Sequence, residues 1–77
     1  MISMRQIRAA RALLGWSQQE LADRAVISVA AMKRLEAGSG DPRVSTVLAV
    51  KTALENGGVE FIAPAGGKGP GVRLASA

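Results

Sequence analysis

Seventy-seven residues suffice for one compact domain with a modest core, so added stability from oligomerisation is expected. The chain has no Cys and no His, which excludes disulfides and thiolate metal sites and removes the usual neutral-pH acid–base group. Neither an enzyme nor a metal or other cofactor is expected. Ten basic residues against six acidic ones leave a net charge of +4, which suits a polyanionic partner, while one Phe, one Trp and no Tyr offer few rings to stack on unpaired bases.

The first helix is predicted from about Ser3 to Leu14. Met4, Ile7, Ala10 and Leu14 recur at helical spacing, Arg5, Arg8 and Arg11 take much of the opposite side, and Gly15 stops it. Three Arg interleaved with short apolar residues do not read as a secretory signal, and no apolar run approaches the roughly 20 residues of a membrane span. The second helix has the sharpest start. Ser17 is placed as N-cap with Glu20 completing a capping box, and Trp16 and Leu21 are spaced as a hydrophobic staple. Leu21, Ala22 and Ala25 form its inner face.

After a break at Val26, Ile27 and Ser28, a third helix is predicted from Val29 to about Ala37. Ser28 caps it, Ile27 and Met32 staple it, Met32 and Leu35 face inward, and Gly38 ends it. A turn-rich loop runs to Pro42. The fourth helix is expected over Val44 to Asn56, with Val44, Val47, Val50 and Leu54 on the buried stripe and Gly57 and Gly58 at its end. The β-prone runs Val59–Ile62 and Val72–Leu74 flank a Gly- and Pro-rich segment, giving a hairpin with a loose loop or one strand with a frayed tail. The chain thus divides into a helical domain over 1–57 and a strand segment over 58–77.

Two short helices separated by about three residues, the second one capped and amphipathic, follow the general helix-turn-helix plan, which many small helical bundles also contain. Further residues sharpen it: Leu14-Gly15-Trp16-Ser17-Gln18, Glu20-Leu21-Ala22, Ser28, Met32, Arg34, Leu35, Glu36, Gly38, Pro42 and the apolar series of the fourth helix. From Ile7 to Leu54 the chain resembles the Cro/C1-type (XRE-like) helix-turn-helix family of phage repressors and bacterial regulators. The resemblance implies a mainly α fold, a four-helix lambda-repressor-like domain here followed by a short C-terminal β-hairpin or strand. It also implies a cytoplasmic regulator, bacterial or phage-encoded and nucleoid-associated, that binds double-stranded DNA with the third helix in the major groove.

Carried over position by position, the resemblance implies that Gln18 contacts a phosphate at the start of the second helix. Ser28, Val29, Ala30, Lys33 and Arg34 face DNA, and Arg43 touches the sugar-phosphate backbone. Arg34 suits a bidentate contact to guanine, Lys33 a phosphate or a single guanine acceptor, and Val29 and Ala30 only thymine methyls. A merely solvated face would account for Lys33 and Arg34 as well, and for Arg5 and Arg8 that reading has equal weight. Arg11 and Glu36 match a family ion pair tying the first helix to the third. Two positions depart from the pattern. Val26 stands where the family has Gly, so a different turn or a shifted docking angle of the third helix is expected, and Ala31 replaces a hydroxyl or amide residue.

Many family members end in a fifth helix that dimerises them; this chain has strands instead. An isolated hairpin is marginal in water, and pairing with a second copy would complete its edge. A homodimer through Leu48, Val59, Phe61, Ile62, Val72 and Leu74 is therefore expected, reading a pseudo-palindromic operator as a repressor. A hairpin that only covers the monomer's own core is the alternative. The rival function is an antitoxin-type or adaptor protein holding a partner protein, with DNA binding secondary; a non-DNA interaction module would lack the exposed basic pair. With no separate ligand-binding domain, control is expected through concentration, partner proteins or proteolysis.

Overall fold

A computed structural model describes residues 2–76. Four helices, α1 (Met4–Leu14), α2 (Gln18–Ala25), α3 (Val29–Ala37) and α4 (Val44–Asn56), precede an antiparallel hairpin of β1 (Val59–Ile62) and β2 (Gly71–Leu74). The mainly helical architecture with a C-terminal hairpin matches the expected fold class. Among the described residues no helix is long and apolar enough to cross a membrane.

Hydroxyl caps start the first three helices, because a Ser side chain in extended backbone can accept a bond from a free N–H of the first turn. Ser17 accepts from the Glu20 N–H at 3.1 Å and Ser28 from the Ala31 N–H at 3.0 Å. The full capping box, however, sits on α1. Ser3 Oγ accepts from the Gln6 N–H, while Gln6 Oε1 accepts from the Ser3 N–H at 2.9 Å. The box expected at Ser17 is only half formed, since Glu20 turns outward to Arg24 at 3.2 Å.

The same three helices end alike. Gly15, Val26 and Gly38 adopt left-handed backbone, and the next residue's N–H reaches back to the carbonyl five positions earlier, as in Trp16 to Arg11, Ile27 to Ala22 and Ser39 to Arg34. Val26 does so with φ of 57°. The left-handed turn is kept despite the β-branched side chain, which corrects the first of the two expectations, a turn of different conformation. The cost is on the order of 1–2 kcal/mol of strain.

Ile7, Leu21, Met32, Val50 and Leu54 are the largest fully buried side chains, one or two from each helix. Val47, Val50 and Leu54 form the buried stripe of α4, with Ala53 beside it. Val44, placed on that stripe by spacing, is instead 57 % exposed. It is the first residue of α4, one turn beyond the buried part of the stripe. Trp16 packs half-buried against the core, with the Arg24 guanidinium 4.3 Å from its ring centroid. A Cβ at Gly57 would collide with the Trp16 ring, so glycine there allows the end of α4 to approach the residue that precedes the N-cap of α2.

The hairpin closes one side of the bundle. Phe61 and Val72 pair in register and both pack against the core, and Val59 is only 3 % exposed. Glu60 and Arg73, paired across the strands, form an ion pair. Gln6 Nε2 donates to the Gly71 carbonyl at 2.9 Å, joining α1 to β2. The connecting segment is more ordered than a loose loop. Ala65 and Lys68 exchange two backbone hydrogen bonds around Gly66 and Gly67, both at positive φ, as a tight two-residue turn requires. Pro64 and Pro70, which have no N–H to give, interrupt the ladder between tip and strands.

Candidate nucleic-acid interface

The capped turn between α2 and α3 fixes which residues of α3 face outward. Met32, Leu35 and Glu36 are buried, so the helical period leaves Ala30, Lys33, Arg34 and Ala37 on one exposed face. Lys33 and Arg34 have no ion pair among the described residues. Ser28 is exposed at the head of the same helix, its hydroxyl oxygen accepting from Ala31. Val29, expected to face outward fully, is half-buried and packs against the core, so only part of its side chain is free for contact.

Arg43 is the N-cap residue of α4 and makes no side-chain cap bond. It shares with Arg34 a cleft of about 210 Å³ between the end of α3 and the start of α4, whose lining also includes Ser39, Asp41 and Thr46. The structure thus brings Arg34 and Arg43 together from elements nine residues apart in sequence.

Behind this face lies the charge network that holds α3. Arg11 meets Glu36 in a bidentate pair, Nε to Oε2 at 2.8 Å and Nη2 to Oε1 at 2.9 Å, and its remaining Nη1 donates to the Trp16 carbonyl at 3.0 Å. Glu36 is 4 % exposed and Arg11 21 %. Burial pushes the Glu36 carboxyl up, but hydrogen bonds from Arg11 and Gln18 and the charges of Arg11 and Arg8 outweigh it and hold the group below its ordinary value. The same bond to Glu36 raises Arg11 above its ordinary value.

Two members of this network were not foreseen there. Gln18 carries its side-chain amide inward to Glu36 Oε1 at 3.1 Å, so at the start of α2 the amide is committed to the hub. Arg8 donates to the Glu36 main-chain carbonyl in the last turn of α3, tying α1 to that helix. Gln6 also went unnoticed, although the Ser-x-x-Gln spacing from Ser3 is a capping-box signal.

Of the residues expected at a dimer contact, Val59 is enclosed by its own core and Phe61 and Val72 are half-buried against it, while Leu48, Ile62 and Leu74 are exposed. Residues 7–59, more than half the chain, match a family model described as helix-turn-helix. No curated protein matches the sequence closely enough to add a relative. The match runs from within α1 through α2, α3 and α4, including the capped turn, the Arg11–Glu36 pair and the exposed face of α3, and the chain belongs to the Cro/C1-type, XRE-like helix-turn-helix family of DNA-binding transcription regulators.

Proposed function

We propose that the chain reads a specific double-stranded DNA sequence with α3 in the major groove, as a dimeric repressor on a pseudo-palindromic operator. The observation that carries this reading is the face of Ala30, Lys33, Arg34 and Ala37, whose two cations have no ion-pair partner among the described residues. An exposed charge on a small helix is cheap in water, but two on one face flanked by Ala methyls offer hydrogen-bond donors beside room for close approach. Arg34 is the residue for guanine O6 and N7, Lys33 and Arg43 for phosphates, and Ala30 for a thymine methyl. Ser28 donates its hydroxyl to a phosphate or base edge, the free part of Val29 touches an adjacent methyl, and the Gln18 backbone N–H at the head of α2 meets a phosphate.

A single copy is a weak reader, and a second copy multiplies affinity when the two α3 helices sit one DNA turn apart, about 34 Å. The exposed Leu48, Ile62 and Leu74 support a contact through the C-terminal hairpin. Such a protein works in the cytoplasm, on the chromosome.

Selection from random duplexes tests the reading. The expected outcome is a two-fold motif with a guanine in each half-site, bound with an affinity that falls steeply as salt rises. Arg34→Ala should flatten the motif, whereas Lys33→Ala should weaken all sequences alike. No enrichment of any sequence would overturn base-specific reading, and a tightly co-purifying protein on the hairpin would favour the antitoxin or adaptor function.

A further inference from the structure

We propose that the groove between α1, α4 and the hairpin binds a small organic carboxylate with an aromatic or branched apolar body. The groove has a volume of about 260 Å³ and lies on a different set of elements from α3. About half of its lining surface is apolar, supplied by Ile2 and, from the hairpin, Phe61, Ile62, Pro64 and Pro70, and the rest is polar, with Ser3, Gln6 and Lys51 among the lining residues. Among the described residues, Lys51 is the one charged side chain in its lining, and no carboxylate accompanies it there. Lys51 is half-buried and has no ion pair among the described residues.

The combination selects a chemistry. An ammonium at the edge of an apolar wall, with polar groups beside it, favours an anion whose other end is apolar, since the anion supplies a counter-charge and the body displaces water from Phe61 and the prolines. The Ser3 hydroxyl, also in the lining, accepts from the Gln6 N–H, and its own proton has no acceptor among the described residues, so it can donate to the same carboxylate. The volume admits one ring with a short acid arm and is too small for a peptide strand with side chains. Because the walls belong to both the hairpin and the helical body, occupancy would hold them together and stabilise the fold by mass action.

The test uses the full chain without DNA, so its outcome is independent of the DNA reading. ¹⁵N-labelled protein is titrated with phenylacetate and, separately, with its uncharged isostere phenylacetamide at constant ionic strength. Phenylacetate is expected to shift the amides around Gln6, Lys51 and Phe61 saturably, with a dissociation constant on the order of 1 mM. Phenylacetamide should bind at least several-fold more weakly, and Lys51→Met should erase that preference. Equal binding of acid and amide by the native protein would overturn the proposal. So would the absence of saturation by about 20 mM, or shifts confined to Lys33, Arg34 and Arg43, which would mark general anion attraction.

Discussion

The two faces of α3 handle charge in opposite ways. On the inner face, Glu36 is buried and every oxygen has partners: Arg11 twice, Gln18 once and Arg8 at its main-chain carbonyl. On the outer face, Lys33 and Arg34 stand exposed with no ion pair among the described residues. A residue three positions away on one short helix is thus either fully committed to the fold or fully available to a partner. The difference separates stability from recognition, so substitutions on the two faces should fail in different assays.

The largest effect is expected from Glu36→Ala. It strands the Arg11 guanidinium, removes the acceptor of Gln18 and should destabilise the protein by about 3 kcal/mol, read as a lower midpoint in urea or heat. DNA affinity should fall only as far as unfolding removes competent protein. Glu36→Gln keeps the shape and should cost less. The carboxyl is held below its ordinary value in the folded state, so its stabilisation is complete above that value and is lost as pH falls through the depressed one. Stability should therefore decline on acidification below about pH 4.5, and the part of the decline due to Glu36 should vanish in Glu36→Gln. An unchanged acid limb would mean the inner network does not hold the carboxylate as charged.

Arg34→Ala makes the opposite case. Stability should stay within about 0.5 kcal/mol of the native chain, while affinity for the preferred duplex should drop about 10- to 100-fold and approach that for random DNA. Lys33→Ala should lower affinity less and equally for all sequences, with a salt dependence shallower by about one counterion. If Arg34→Ala unfolds the protein, the outer face is structural and the contrast between faces collapses.

What could be read from sequence follows the range of each interaction. Caps and stops are local: Ser17, Ser28, Gly15 and Gly38 act on backbone within a few residues, and spacing alone located them. The Arg11–Glu36 pair spans 25 residues and came from family resemblance. The Gln6 bond to Gly71 spans 65 residues and depends on where the hairpin lands, which no local pattern encodes. Val44 fits the apolar stripe but lies outside it in space, because periodicity marks a face without saying how far along the helix its neighbours reach. The outer cations of α3 were legible as exposed, and their sharing of a cleft with Arg43 was not, since it depends on how the loop through Pro42 turns.

The smallest effect lies at the turn that joins α2 to α3. Val26 holds φ of 57° yet is 89 % exposed, so it bears the left-handed strain and buries almost nothing in return. Replacing it with Gly removes strain of about 1–2 kcal/mol and adds unfolded-chain entropy of about 0.5–1 kcal/mol. The difference is a net gain of about 0 to 1.5 kcal/mol, centred at about 0.75 kcal/mol and seen as a modest rise in the unfolding midpoint. Val26→Asn should gain as well, because Asn tolerates this backbone, whereas Val26→Ala keeps a Cβ and should gain least. DNA affinity should not change in any of the three, since the turn already has its regular geometry with Val in place. A loss of stability in Val26→Gly would show that the side chain makes a contact which its exposure hides. A change in sequence preference would mean the strained turn helps to set α3 in the groove, and the outer face would then depend on the fold more closely than its free cations imply.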